Sequence, residues 1–301
     1  MPHVLFVTNP AHISDGFAYV STRFAQAAEH RPGFTLEPIT VDAALGRVTS
    51  TDAAKPDAAL VWDKDTATAR LLESYGVRCF NSPAATDVCE DKRATYNALL
   101  AAGVPQPDTV PIPRNPLSMR HDTTPRWAAS PFIDDVISAL GLPMVGKPTT
   151  GSFGTNVQLI HTRDELVEYC TVFDRFYPGL VQRYVPSPDG SDVRVAVIGG
   201  HAVAAMRRVS PTGDFRANVA LGGIGAKYEL NDATRCVAED AARAVGASVA
   251  GVVILGADTD SPMVCEVNSH PQFLGLETAC GIDFPAAVLD HIERALVWTA
   301  R

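Results

Sequence analysis

Lys147 stands between a short apolar run and a glycine-bearing loop, in the stretch Val145-Gly146-Lys147-Pro148-Thr149-Thr150-Gly151-Ser152-Phe153-Gly154. Gly151 and Gly154 allow backbone conformations that side chains resist, and they let the chain lie close to a ligand. Successive N–H groups in such a turn form a concave donor surface suited to phosphate oxygens. Lys147 adds a full positive charge to the same place. The spacing is neither that of the P-loop nor GxGxxG. Taken alone, the loop reads equally well as a hairpin carrying a chance lysine.

Three further segments carry reactive side chains. One is Asp192-Val193-Arg194, followed by Met206-Arg207-Arg208. A second is Gly213-Asp214-Phe215-Arg216-Ala217-Asn218. The third is Cys265-Glu266-Val267-Asn268-Ser269-His270-Pro271, where strand alternation puts Glu266 and Asn268 on one face. A carboxylate and an amide oxygen two residues apart suit a hard, oxygen-preferring cation such as magnesium. A solvent-facing strand end would look similar, but Val264 and Val267 argue for an interior strand. Asn9, His12 and Asp15 follow the first apolar run, and Trp62-Asp63-Lys64-Asp65 follow the third. These are candidate substrate contacts, although each one singly is also an ordinary loop residue.

The elements that must position these residues are an α/β alternation at the start of the chain. His3–Thr8, Phe34–Thr40, Ala58–Trp62 and Val77–Asn81 read as strands, with helices over Tyr19–Ala28 and Thr66–Tyr75 between them. Such alternation predicts a mostly parallel sheet, whose ligands lie beyond the carboxyl ends of its strands. Asp87–Ala102 reads as one helix, with Lys92 and Arg93 in its first half, where the macrodipole opposes a cation. Ile112–Pro131 reads as a surface loop and Asp134–Leu140 as a short helix. Thr162 and Glu165 form a capping-box pattern for a helix running to about Tyr177, and Leu180–Val185 returns to strand. Gly199-Gly200 joins two alternating runs, Val193–Ile198 and His201–Met206, as a hairpin. A helix capped by Asp232, the strands Val249–Leu255 and Met263–Val267, and a helix over Asp283–Trp298 complete the pattern.

Composition sets limits. The 301 residues are enough for two or three modules, and 46% hydrophobic with 20% charged residues is a globular balance. The net charge of −9, without a basic block, points away from a nucleic-acid partner. No apolar run is long enough to span a bilayer, and the first residues lack the basic leader of a signal peptide. The six cysteines form no CxxC pair, which predicts reduced thiols and a cytoplasmic location.

From about Asp91 onward the chain resembles the ATP-grasp carboxylate–amine ligases of the RimK and lysine-biosynthesis type. The matching motifs are Asp91-Lys92 opening a helix, Gly146-Lys147-Pro148 with Gly151 to Gly154, Gln182-Arg183-Tyr184-Val185, Asp192-Val193-Arg194, Gly213 to Asn218, and Glu266-Val267-Asn268-Ser269. The resemblance implies an ATP-grasp fold of three modules: a Rossmann-like N-terminal domain over 1–90, a central lid domain over 91–180 and a C-terminal domain over 181–301. It implies that Lys92 and Lys147 hold phosphates, that Gly151, Ser152, Phe153 and Gly154 cover them, and that Gln182, Arg183, Tyr184 and Val185 form the hinge under adenine. It further implies that Asp192 meets the ribose. Arg194, Arg208, Arg216 and Asn218 would line the γ-phosphate and acyl phosphate, while Glu266 and Asn268 would hold magnesium, or manganese in its place. The activity implied joins a carboxylate to the amine of an amino acid or small amine through an acyl phosphate, releasing ADP and phosphate. Relatives of this type are often dimers or tetramers.

Five positions depart from the family pattern. Val253 stands where an aspartate ligand is expected, Arg183 where a glutamate is frequent, and Leu221 where an arginine is frequent. His270 and Gln272 replace small residues where a substrate should lie. Val253 raises the alternative of a catalytically weakened or non-catalytic ATP-binding relative.

Overall fold

A computed structural model describes the chain apart from residues 12–13, 114–122, 153, 176–177, 188, 212–214, 216–223 and 300–301. It begins with β1 (His3–Thr8), α1 (Asp15–Glu29), β2 (Thr35–Thr40), α2 (Ala44–Thr49), β3 (Ala58–Val61), α3 (Thr66–Ser74) and β4 (Arg78–Phe80). The four strands form one parallel sheet in the order β2-β1-β3-β4. Alternate residues of β1 enter different cores: Val4 and Phe6 on one face, Leu5 and Val7 on the other. Burial on both faces is why its strands read as continuous apolar runs rather than alternating ones.

The helix expected over Asp87–Ala102 is two helices, α4 (Pro83–Glu90) and α5 (Lys92–Ala101). Asp91 breaks them. Its backbone is extended at φ −106° and ψ 109°, and its carboxylate accepts from the Arg93 N–H at 2.8 Å. An aspartate capping the second helix competes successfully with helix continuation. The break puts Lys92 at the first position of α5.

The second sheet follows: β5 (Thr109–Pro111), α6 (Thr124–Ala128), α7 (Pro131–Leu140), β6 (Met144–Pro148), β7 (Gln158–Ile160), α8 (Arg163–Arg175) and β8 (Gly179–Arg183). Its order is β5-β8-β6-β7, antiparallel throughout. The segment expected as a loop contains α6, whose Trp127 is buried against Ile133 and Met144 in this sheet's own core. The strand expected to reach Val185 ends at Arg183. Thr162 caps α8 by accepting from the Glu165 N–H at 3.2 Å, and Glu165 accepts in return from His161 N at 2.7 Å.

The third sheet is built from β9 (Asp192–Ile198), β10 (His201–Val209), β11 (Ile224–Lys227), α9 (Asp232–Ala244), β12 (Val249–Leu255) and β13 (Met263–Asn268), with α10 (Leu274–Cys280) and α11 (Phe284–Thr299) after it. Its order is β11-β10-β9-β12-β13, again antiparallel. Gly199 and Gly200 turn the hairpin with φ of 59° and 83°, the left-handed pair that a two-residue turn requires. Asn231, not Asp232, caps α9, accepting from Thr234 N at 2.7 Å. One face of this sheet packs on α9 and residues of α4 and α5. The other shares a core with the first sheet, where Phe6, Phe24 and Trp62 meet Ala196, Met206, Val249 and Phe284. No helix among the described residues is long and apolar enough to cross a membrane.

Candidate active site

A cleft of about 870 Å³, counting the space open to solvent, lies between the second and third sheets. Lys147 reaches it from β6, whose residues are all buried. Its ammonium donates to Gln182 Oε1 at 2.6 Å and approaches Cys265 Sγ at 3.5 Å. Gln182 is buried as well and donates from Nε2 to Thr109 Oγ1 at 2.9 Å. The side chain of Gln182 therefore positions the lysine. Arg183 turns its guanidinium away, onto Asp108 and the carbonyls of Ala139 and Leu140. Tyr184 and Val185 line the cleft, with Phe215 edge-on to Tyr184 at 6.4 Å.

Lys92 enters from the start of α5. Its N–H donates to Thr149 O at 2.8 Å and its ammonium to Gly151 O at 3.0 Å, so the glycine loop is held by the residue that faces it. Burial lowers the Lys92 pKa, and the nearby ammonium groups of Lys147 and Lys64 lower it further, against Glu266 and Glu90. Gly151, Ser152 and Gly154 line the same cleft, while Phe153 lies outside the described residues. Ser152 Oγ accepts from Lys64 at 2.8 Å, and Lys64 also pairs with Glu90 at 2.5 Å. The contact from Lys64 to the loop is one the sequence does not signal.

The third sheet supplies the acidic side. Asp192 lies opposite Arg208 in the β9–β10 register, and the two form a bidentate pair at 2.6 and 2.7 Å, nearly buried. Both oxygens of Asp192 are thus already engaged. One row across the sheet is Arg194 on β9, Val253 on β12 and Glu266 on β13. A bulge in β13 leaves Cys265 unpaired between Val264 and Glu266, and both Cys265 and Glu266 line the cleft. Burial opposes ionisation of Glu266, yet Lys92, Lys147, Arg194 and Arg208 together hold its carboxyl below the usual range. Burial also lowers the Arg194 pKa, to about 10, with Arg208 adding to the effect. Arg194 rests on Gly251, where a Cβ would come within 3.0 Å of its guanidinium, and lines a small cavity with Pro271 and Phe273. Arg216 and Asn218 lie outside the described residues.

Among the described residues no group of three His, Cys, Asp or Glu could hold a metal by itself. Glu266 remains an ionised carboxylate free of hydrogen bonds to described side chains, and Asn268 donates to Gly251 O at 3.3 Å, which leaves its own oxygen free. That donor set fits a divalent cation completed by phosphate oxygens and water. Neither nearby aspartate replaces the carboxylate missing at Val253. Asp258 pairs with Arg207 and Tyr228, and Asp260 is exposed.

His270 stands beyond the row. Its Nε2–H donates to Val61 O at 2.8 Å, which fixes the tautomer because a carbonyl only accepts. Burial pushes its pKa down to about 4, so the ring is neutral. His12 lies outside the described residues.

Residues 90–292 match the family of the RimK-like ATP-grasp domain. The human N-acetylaspartylglutamate synthase A is 32% identical over 229 residues, 76% of this chain and 56% of that protein. A probable alpha-L-glutamate ligase of Xanthomonas euvesicatoria pv. vesicatoria is 35% identical over 233 residues, 77% of this chain and 74% of that one. The chain therefore spans little more than half the length of the first of these relatives. The crystal structure of D-alanine--D-alanine ligase from Bacillus anthracis complexed with ATP has a TM-score of 0.72 over 99% of this chain and 98% of its own, at 18% identity, which is a likeness of fold. The residues that line the cleft, from Lys92 to Glu266, fall wholly inside the matched span, and the chain belongs to the RimK-like ATP-grasp family.

Proposed function

We propose that the protein is an ATP-dependent ligase that joins a carboxylate to the amine of an amino acid, through an acyl phosphate, releasing ADP and phosphate. The observation that carries this reading is the convergence of Lys92, Lys147 and Glu266, from three separate elements, on one cleft beneath a glycine loop. L-Glutamate is the first amine to test, because the relatives' names include glutamate ligation.

A carboxylate resists attack by an amine because its leaving group would be an oxide. Transfer of a phosphoryl group to it creates a leaving group of low basicity. Charge then builds on phosphoryl oxygens, and prearranged cations stabilise it without reorganising. Lys92 and Lys147 hold the phosphates, and Gln182 holds Lys147 in place. Arg194 and Arg208 present guanidinium groups from adjacent strands of the third sheet, and the family resemblance adds Arg216 and Asn218 to the same role. Asp192 keeps Arg208 extended. Glu266 and Asn268 would hold magnesium, which would supply charge neutralisation and polarisation at the phosphoryl group when bound. The Gly151–Gly154 loop excludes water from the mixed anhydride. Tyr184 and Val185 offer the base a partly apolar wall. Glu266 survives the change at Val253, so the non-catalytic reading is not favoured.

Residues 1–90, 91–180 and 181–301 serve as the three modules, with β8 crossing the second boundary. The six cysteines are thiols rather than disulfides, which suits a reducing cytoplasm. The test is incubation with ATP, magnesium, L-glutamate and a panel of small carboxylic acids. ADP and phosphate should appear in step with an amide, and only when both substrates are present. Formation of AMP, or of ADP without a carboxylate, would overturn the reading.

A further inference from the structure

In the first sheet β1 lies between β2 and β3, so the strand order reverses there. Ligands of open parallel sheets settle outside the carboxyl ends of the strands at such a point. Trp62 and Asp63, the first residues after β3, are 1% and 6% exposed. Trp62 Nε1, a donor, and Asp63 Oδ2, an acceptor, are both buried without a hydrogen-bond partner among the described residues. Asp63 Oδ1 is used, accepting from Asp65 N at 3.1 Å.

The surroundings place this pair beside the phosphate cleft. The segment after Asn268 closes over it: the His270 ring stands edge-on to Trp62 at 5.6 Å, and Gln272 Oε1 lies close to Gly16 at the start of α1. On the other side Lys64 reaches Ser152 of the glycine loop. A buried carboxylate oxygen without a donor is costly, and buried polar groups are nearly always paired. The near neighbours leave this one unpaired. The Lys64 ammonium is turned to Glu90 and Ser152, and His270 spends its N–H on Val61. The indole N–H of the preceding residue, Trp62, is a donor likewise unpaired among the described residues.

The geometry points to Asp63 Oδ2 as the acceptor for the ammonium group of the amine substrate, with Trp62 Nε1 donating to an oxygen of the same molecule. A free α-amino acid carries the two complementary groups side by side. This deepens the ligase reading and rests on it. It makes Trp62 and Asp63 the residues that select a free amino acid over its N-blocked form.

The experiment is calorimetric titration of the protein, loaded with ADP and magnesium, by L-glutamate, L-aspartate, L-alanine and L-lysine and by their N-acetyl counterparts. Wild type, Asp63→Asn and Trp62→Phe are compared. At least one free amino acid should bind wild type, and its N-acetyl form about ten-fold more weakly or worse, the loss expected of a charged hydrogen bond. Asp63→Asn should lose affinity to a similar degree and Trp62→Phe less, with ADP affinity unchanged in both. Unliganded Asp63→Asn should melt no lower than wild type, because it sheds an uncompensated buried charge. Equal binding of the N-acetyl forms, unchanged affinity in Asp63→Asn, or no binding of any free amino acid would overturn the proposal. So would a lowered melting temperature in Asp63→Asn, which would mark a structural role filled by water. Amide formation is read separately, so amino-acid binding without ligation would sink the ligase reading and leave this site standing.

Discussion

Lys147 and Glu266 carry most of the chemistry assigned to the cleft, and each makes a sharp prediction. Lys147→Ala removes a buried ammonium and strands the Gln182 oxygen that accepted from it. ATP affinity, read by calorimetry, should fall about ten-fold or more, while far-ultraviolet circular dichroism stays native. Glu266→Gln keeps the shape and removes the charge. It should abolish turnover and, in electron paramagnetic resonance, the nucleotide-dependent binding of manganese. A variant that still binds manganese with ADP would take Glu266 out of the metal role. His270 gives a pH prediction. Its folded pKa of about 4 lies below that of the unfolded chain, so the unfolded state binds more protons between the two values. Stability therefore falls as pH drops from about 6.5 to about 4, by up to about 3 kcal/mol from this residue. In urea melts at pH 7 and pH 4.5, His270→Asn should lose less on acidification than wild type. At this scale Lys92, Lys147, Arg208 and Glu266, which line the cleft, stand in motifs readable from the sequence, whereas Arg194 lines the smaller cavity beside Pro271. The partners were not readable: the pairing of Asp192 with Arg208 depends on a register shift in the hairpin between Ala202 and Ala204, and Lys64 reaches a serine 88 residues away.

The elements show where local pattern gives way to tertiary demand. Helical periodicity runs through Asp87–Ala102, yet Asp91 turns out of the helix and Lys92 is placed where the dipole disfavours it. That cost is understandable if phosphate sits there. The parallel sheet, the Gly199-Gly200 hairpin and the helix after Thr162 were all readable, since each is fixed by a local period or a turn requirement. The short strands β5 and β11 were not, because three or four residues carry too little alternation and owe their pairing to neighbours. The row Arg194–Val253–Glu266 depends on the same kind of long-range register, together with the bulge at Cys265. Gly251 makes that row possible. A Cβ there would stand 2.8 Å from Pro271 and 3.0 Å from the Arg194 guanidinium. Gly251→Ala should cost about 1–3 kcal/mol by overpacking. It should also displace Arg194, so that kcat falls more than ATP affinity does. A variant with a lowered melting temperature and unchanged kcat would show that the position of Arg194 is immaterial to turnover.

The molecule is assembled unevenly. The first and third sheets share one apolar core and are also joined by Arg23, which donates twice to Glu277 at 3.1 Å. The core of the second sheet draws only on residues between Val110 and Val181. That sheet carries the glycine loop, and the links from the loop to the rest of the protein described above are polar: Lys92 to Thr149 and Gly151, and Lys64 to Ser152. Polar contacts at a partly exposed seam are individually weak, of the order of 1 kcal/mol or less. Contacts of that strength suit the lid role proposed for the loop, which requires them to break and reform. Lys64 is the one that bridges from the first sheet, so it reports whether the N-terminal module is closed on the loop. Removing it should leave the phosphate lysines untouched and still admit water. Lys64→Ala is expected to raise the ATP KM a few-fold at most, in keeping with one exposed pair. The larger effect should be on coupling: more ADP formed per amide made, and faster cleavage of the 149–157 loop by protease. If the ratio of ADP to amide stays at one in Lys64→Ala, the glycine loop shuts without help from the first sheet, and water exclusion must be assigned to Lys92 and the loop itself.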